Sequence, residues 1–243
     1  MAQLRFFLLF TFLIAIIGIQ SIYSQTVIES WIPEAMVNQP VVGSPAISPD
    51  GSTIAYTIRE TKMEGEESEF LSHIWVATAD GTMNRQFTRG DQSVSNPQFS
   101  PDGQFLSFTS RRSGENQVYR MYLNGGEAEQ ITHAENGVGN YVWSPDGNRL
   151  AFTGTDGGIS DLYVLDLNTE KVRQLTNDRY ADLQPTWAPD GETIAFTTDR
   201  AETDLGALNP SSRMDLGLLD VSSGAVTVRE PFGDALHHTP PFA

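Results

Sequence analysis

The string "SPDG" occupies residues 48–51, recurs at residues 100–103 and 144–147, and returns as "APDG" at residues 188–191. In each copy the proline presets φ for the second position of a tight turn, and the aspartate bonds to its own backbone. The glycine accepts the positive φ that closes a hairpin. Each copy therefore predicts a β-hairpin corner with a strand on either side.

The segments after the corners read "TIAYT", "FLSFT", "RLAFT" and "TIAFT". Apolar residues at every second position are typical of a strand with one buried face. Aligned on the glycines, one apolar column is Ile54, Leu106, Leu150 and Ile194, and the next is Tyr56, Phe108, Phe152 and Phe196. A third column, before the corners, is Ile47, Phe99, Trp143 and Trp187.

Two more strands are predicted downstream of each corner. The third strands are "HIWVATADG", "QVYRMYLNGG", "DLYVLDLNTE" and "DLGLLDVSSG", and the fourth are "NRQFT", "AEQIT", "VRQLT" and, less clearly, "AVTV". The prolines of successive corners lie about 44 to 52 residues apart, which is the period of β-propeller blades. Residues 41–243 are therefore predicted to be all-β, an incomplete β-propeller of about four four-stranded antiparallel blades.

The chain ends in "HTPPFA", which aligns with the "NPQFS" and "QPTWA" segments of earlier blades. We therefore expect a fifth blade to have begun and the array to be truncated. The longer first interval contains "RETKMEGEESEFLS", which is predicted to be a protruding charged loop. A smaller excursion, "DRAETDLGALNPSSRM", is predicted in the last blade.

Residues 1–24 have the layout of a secretory signal peptide: Arg5, an apolar run, and then small and polar residues. Residues 25–40 are predicted to be a linker. Because the apolar run is shorter than the ~20 residues that span a bilayer, a retained anchor is the weaker alternative. The expected location is exported, either periplasmic or extracellular, and the sequence has no cysteine for a disulfide.

The formal net charge is -16, from 31 acidic residues against 15 Lys and Arg. Such a chain repels polyanions, so nucleic acid is not an expected partner.

The pattern "PDG…IAF…LYVLDL…RQLT" resembles the PD40 (WD40-like) repeats of the TolB family of propellers, over about residues 40–243. The first half, including "SPAISPDGSTIAYTIRE" and "HIWVATADGTMNRQFTRG", is also similar to the N-terminal propeller of the S9 prolyl oligopeptidase family, in particular its acylaminoacyl-peptidase and dipeptidyl-peptidase branches. That resemblance implies a propeller that caps an α/β-hydrolase domain and filters its substrates.

The sequence contains no G-x-S-x-G nucleophile elbow and no βα alternation in which to place one. We therefore predict that this chain is not an enzyme, and we assign no catalytic, cofactor-binding or metal-ligating residue and no cofactor. The histidines are His73, His133, His237 and His238; the adjacent pair would point to opposite faces of a strand. Asp156 and Asp161 are interpreted as turn residues rather than Ca²⁺ ligands.

Function is expected in segments that do not repeat, because the scaffold does not require them. These are residues 60–70, 136–141 and 179–182. The leading hypothesis is an exported non-catalytic module for protein or peptide binding or substrate gating. The alternatives are the propeller of an S9-type serine peptidase and a TolB-like periplasmic scaffold that contacts envelope proteins. Self-association through open propeller edges is also expected.

Overall fold

The computed structural model describes residues 39–64, 67–200 and 214–229. Contacts divide the chain into two units, Met1–Gln39 and Pro40–Ala243, and every described strand lies in the second. The predicted signal segment, the C-terminal "HTPPFA" and most of the excursion after Asp199 lie outside the described residues. No helix among the described residues is long and apolar enough to cross a membrane.

The described residues form sixteen strands in four antiparallel sheets, each in simple sequential order, which confirms the all-β prediction. We name the sheets blades 1 to 4. Blade 1 contains β1 Val41–Ile47, β2 Thr53–Glu64, β3 Glu67–Thr78 and β4 Asn84–Gln86. Blade 2 contains β5 Val94–Phe99, β6 Phe105–Ser113, β7 Glu115–Tyr122 and β8 Glu129–Gln130. Blade 3 contains β9 Val138–Trp143, β10 Arg149–Asp156, β11 Ile159–Asp166 and β12 Lys171–Gln174. Blade 4 contains β13 Asp182–Trp187, β14 Thr193–Thr198, β15 Asp215–Asp220 and β16 Val226–Arg229.

The repeated corners are hairpin turns, as their sequence predicted. In the corner between β9 and β10, Gly147 has φ +71° and its N–H donates to the Ser144 carbonyl at 2.9 Å. The Ser144 hydroxyl donates to Asp146 Oδ1 at 2.5 Å and accepts the Arg149 N–H at 2.9 Å. Asp146 also accepts the Asn148 N–H, so side chains and backbone satisfy each other at the bend.

The core lies between successive blades rather than within one. Blades 1 and 2 enclose one apolar cluster, blades 2 and 3 a second, and blades 3 and 4 a third. The columns predicted from the repeat provide one face of each interface: Leu106, Leu150 and Ile194 are fully buried, as is Phe108. A single small sheet has two faces and needs a neighbour on each, which explains why the unit repeats.

The described blades do not close on themselves, so the fold is an incomplete β-propeller. Phe99, Trp143 and Trp187 are 9%, 7% and 7% exposed, whereas Ile47, the equivalent residue of blade 1, is 66% exposed. The outer face of blade 1 therefore has no neighbouring sheet among the described residues.

Antiparallel strands place the loops in two groups. The four corners and the turns before the fourth strands lie at one end of the blades. The hairpins between second and third strands, and the links between blades, lie at the other, which we call the loop end. Hydrogen bonds join links to hairpins there: Ser72 N–H to Ser93 Oγ at 3.1 Å, and Asn136 Nδ2 to the Thr155 carbonyl at 3.0 Å.

Candidate binding surface

All three non-repeating segments predicted from the sequence reach the loop end, but each differs from the surface loop that was expected. For residues 60–70 the predicted loop is wrong, because β2 and β3 remain paired as far as Glu64 and Glu67. A two-stranded ladder bonds through backbone groups, so charged side chains do not prevent it. The Arg59 guanidinium carbon lies 5.3 Å from the Phe70 ring centroid, and Phe70 is 56% exposed.

The second segment, residues 136–141, is only partly a loop. Gly137 has φ +80°, and a Cβ there would lie 3.1 Å from the Asn116 carbonyl oxygen, so glycine is needed at this turn. β9 begins at Val138, and Tyr141 is buried. Its hydroxyl donates toward the Asn96 carbonyl at 2.8 Å and lies 3.0 Å from Ser107 Oγ, and burial raises its pKa. Tyr141 therefore belongs to the core between blades 2 and 3, not to a binding surface.

The third segment, residues 179–182, is anchored by Arg200 just after β14. The Arg200 guanidinium pairs with Asp182, which is fully buried, and with Asp178, and it donates to Thr198 Oγ1 at 3.0 Å. Burial alone would lower the pKa of Arg200, but the two carboxylates offset it and the pKa is raised. This ion-pair cluster ties the link before blade 4 to its second strand.

Asp161, beside this link, is a buried acid whose environment disfavours its charge. Thr176 Oγ1 donates to its Oδ1 at 3.3 Å and Gln174 Nε2 to its Oδ2 at 3.2 Å. Burial, with the charges of Asp182 and Asp178, nevertheless raises the pKa of its carboxyl group. In blade 2 the equivalent residue is Gln117, whose neutral amide bonds to Thr132 and to both backbone groups of Ala134.

Asp156 and Asp161, considered together in the sequence, are not neighbours in the ladder. Asp156 pairs with Ile159 at the exposed hairpin tip, whereas Asp161 pairs with Gly154 and is buried. His73 lies in β3 and His133 in the link after β8, while His237 and His238 lie outside the described residues. Within the described ranges no group of three or more His, Cys, Asp or Glu side chains is placed to hold a metal ion.

A groove of about 490 Å³ opens between blades 2 and 3 and reaches the loop end at Asn136, Gly137 and Asp156. We call it the acidic groove. Its floor is apolar, since Phe152 and Tyr163 stack with ring centroids 5.4 Å apart and Leu165 lies beside them. The groove opens beside β8, which is only two residues long, whereas β12, the equivalent strand of blade 3, has four residues.

Carboxylates predominate around this groove. Its lining includes Glu129, Glu135, Asp156 and Glu170. Arg120 also lines it, but its Nε donates to Glu129 Oε2 at 2.8 Å, so this cation is already paired. Burial, followed by the charges of Asp161 and Asp156, raises the pKa of the Tyr163 hydroxyl on the floor. The groove is therefore an apolar slot with a negatively charged rim.

The family model described as "TolB beta propeller domain" (PD40) matches residues 18–142 and 136–204. The chain belongs to the PD40 family. Over 88 residues, covering 36% of this chain and 13% of the relative, it is 34% identical to the uncharacterized peptidase YuxL of Bacillus subtilis. Over 59 residues, covering 24% of this chain and 14% of the relative, it is 44% identical to the Tol-Pal system protein TolB of Bordetella pertussis.

Among solved structures, the acylaminoacyl peptidase of Pyrococcus horikoshii matches with a TM-score of 0.61 at 17% identity, covering 82% of this chain and 34% of that one. At this identity the match shows the fold alone. The sequence-based resemblance of this PD40 chain to TolB and to S9 propellers is thus confirmed. The PD40 segments span only a small part of each curated relative's length.

Two parts of this surface of the PD40 chain were not predicted from its sequence. Arg200 was not singled out, because one arginine in a polar stretch carries no signal until Asp178 and Asp182 are seen to meet it. The acidic groove was also missed, although the short "AEQIT" strand that opens it could have been noticed beside "VRQLT".

Proposed function

We propose that this PD40 chain is an exported, non-catalytic propeller module that binds a protein or peptide partner at its loop end. The observation that carries the proposal is the acidic groove, an apolar slot with a negatively charged rim, which opens beside the non-repeating links. Relationship to TolB, a component of the Tol-Pal system, supports a protein partner. The segment at residues 1–24, predicted to be a signal peptide, supports export.

The groove favours a partner segment that carries a basic residue next to an aromatic or aliphatic one. Tyr163, which is half-buried, and Val172, which is exposed, provide apolar contact area above the buried Phe152 and Leu165, and such contacts supply most of the affinity of a short peptide. Glu135, Asp156 and Glu170 surround this floor, and the net charge of -16 attracts cations from a distance.

The proposal is tested with fluorescein-labelled peptides that alternate Lys and Phe or Leu, compared with peptides in which Glu replaces Lys. We expect the basic peptides to bind and the triple variant Glu135→Gln, Asp156→Asn, Glu170→Gln to weaken them about tenfold or more. Glu192→Gln, an exposed acid at the corner end, is the matched control and should leave affinity unchanged. Equal loss in the triple variant and in the control would contradict binding at the groove.

A second candidate is the propeller part of an S9-type serine peptidase, in which the same loop end would gate substrate access. The similarity to the peptidase YuxL and to the acylaminoacyl peptidase fold favours it. Peptidase turnover by this chain itself, sensitive to a serine-directed inhibitor, would overturn the non-catalytic proposal.

A further inference from the structure

A second groove, of about 670 Å³, lies between blades 1 and 2 and is the repeat equivalent of the acidic groove. The same positions form both grooves: Phe108 and Met121 line the groove between blades 1 and 2, and the equivalent Phe152 and Leu165 line the acidic groove. Between blades 1 and 2 the fourth strand of the preceding blade is again short, since β4 has three residues. The scaffold therefore builds two similar slots side by side.

Their charges are opposite. Arg85 in "NRQFT" occupies the position of Glu129 in "AEQIT", Arg89 that of His133, and Arg112 at the end of β6 that of Asp156. Three of the chain's 15 basic residues thus line one groove of a protein with net charge -16. We call it the arginine groove. The repeat does not require arginine at these positions, because the neighbouring groove forms without it.

Two of these arginines are held in place without an acidic partner. The Arg112 guanidinium carbon lies 4.9 Å from the Tyr119 ring centroid and 5.3 Å from that of Phe108. Arg85 lies 5.4 Å from the Phe87 ring centroid and donates from Nη2 to the Leu123 carbonyl at 3.0 Å. Arg120 and Arg200 form ion pairs, but among the described residues no carboxylate is paired with Arg85, Arg89 or Arg112.

The arginines are spread along the groove. Arg85 lies near the turn after β7, since its guanidinium donates a hydrogen bond to the Leu123 carbonyl. Arg89 and Arg112 lie toward the loop end. Gly125 and Gly126 line the groove, and a Cβ added to either would meet nothing within 4 Å, so the wall is open there. Glu127 is the single carboxylate in the lining. This layout suits an extended ligand with several negative groups better than one small ion.

We infer that the arginine groove binds an extended acidic peptide segment, whose carboxylates pair with the guanidinium groups of Arg85, Arg89 and Arg112. Guanidinium groups stacked on rings keep their N–H edges available and lose little entropy on pairing with a carboxylate. Phe108 is fully buried and Met121 nearly so, so the guanidinium groups provide most of the contact with such a segment. Nucleic acid is not the expected ligand, because the net charge of the chain repels the dense, regular charge of a phosphate backbone more strongly than the few carboxylates of a short peptide.

The test is fluorescence anisotropy with a short labelled peptide of alternating Glu and Ala residues, amidated at its C-terminus, at low ionic strength. We expect Arg89→Gln and Arg112→Gln each to weaken binding about threefold to tenfold, and the triple change with Arg85→Gln to abolish it. Arg112→Lys, which keeps the charge but loses the stacked fork, should bind at an intermediate level.

Arg111→Gln is the matched control, since Arg111 is exposed and adjacent to Arg112 but does not line the groove. It should bind within about twofold of the parent. Equal weakening by Arg111→Gln would show attraction to net charge alone and overturn the proposal. Unchanged binding in Arg89→Gln would also overturn it, since Arg89 is exposed and its side chain makes no hydrogen bond or ion pair with the described residues. Displacement by inorganic phosphate at the peptide's own concentration would overturn the assignment to a peptide.

This inference does not rest on the proposed function, because it concerns a different groove and the opposite ligand charge. Loss of basic-peptide binding in the acidic-groove variant and loss of acidic-peptide binding in the arginine variants are measured separately. Either can fail while the other stands.

Discussion

Two aspartates of blade 3 show how far position decides the behaviour of one residue type. Asp146 at the corner accepts the Ser144 hydroxyl, and this hydrogen bond, together with that from the Asn148 N–H, outweighs the opposing effect of burial and lowers its pKa. Asp161 beside the link to blade 4 is buried near Asp182 and Asp178, and its pKa is raised. The same carboxyl group therefore stabilises the fold at the corner and opposes it at the link.

We expect Asp161→Asn to raise the melting temperature at pH 7. Below the ordinary aspartate pKa of about 3.9, the carboxyl is protonated in both the folded and unfolded chains, so parent and variant should melt together. As pH rises above that value, ionisation is less favourable in the folded state, and the variant should become the more stable. Thermal unfolding followed by circular dichroism from pH 3 to pH 8 measures this.

Asp146→Asn provides a control of opposite sign. Because the folded pKa of Asp146 is lowered, its contribution is present above the unfolded pKa and is lost as pH falls through the folded pKa. This variant should melt lower than the parent at pH 7 and converge with it in acid. A difference of the same sign for both variants would refute the electrostatic account of Asp161.

At the scale of the element, a pair of aromatic rings joins the second and third strands of blades 2 and 3, but not those of blade 4. Phe108 stacks on Tyr119 with centroids 6.0 Å apart, and Phe152 on Tyr163 at 5.4 Å. In blade 4 the partner of Phe196 is Gly217, and the Phe196 ring fills the space that a side chain would occupy. Because Gly217 has no side chain, the Phe196 ring can lie directly over the backbone of β15.

Gly217→Ala should destabilise the fold by about 1 to 3 kcal/mol, because the added Cβ would lie 2.3 Å from Phe196 Cζ and must displace a buried ring. Chemical denaturation measures the change in free energy of unfolding. Gly43→Ala in β1, where the nearest atom is Thr57 Oγ1 at 3.4 Å, is the control and should cost less than about 0.5 kcal/mol. Equal losses in the two variants would rule out ring displacement as the cause.

At the scale of the whole molecule, stability depends on blades covering one another, and the described blades leave one face of the array without a neighbour. Ile47 and Val42 are each 66% exposed on blade 1, at positions that a preceding blade would cover. Exposed apolar strand surface of this kind promotes association between chains.

We expect the purified chain to associate in a concentration-dependent way and Ile47→Lys to reduce that association. A charge on the open face must be desolvated for two copies to pack there. Light scattering coupled to size-exclusion chromatography measures the mass. Val172→Lys, at a residue 53% exposed between blades, should leave it unchanged. A parent protein that stays monomeric at all concentrations would show that this face does not mediate self-association.

The sequence by itself determined the corners, the strands and the four described blades, because each depends on local chemistry: proline and glycine at a bend, and apolar residues at period two. It also predicted the apolar columns correctly for blades 2 to 4. It misjudged residues 60–70, since the charged side chains suggested a loop where backbone pairing alone sustains a hairpin.

Only the tertiary structure decided which surfaces are available for binding. Tyr141 is core and Ile47 is surface, although their local sequences suggest the reverse, because burial depends on whether a neighbouring blade is present. The Arg200 cluster and the two oppositely charged grooves join residues far apart in the chain. The grooves exist only where separate blades meet, and the Arg200 cluster only where the link before blade 4 meets the end of the second strand; no local pattern encodes either meeting.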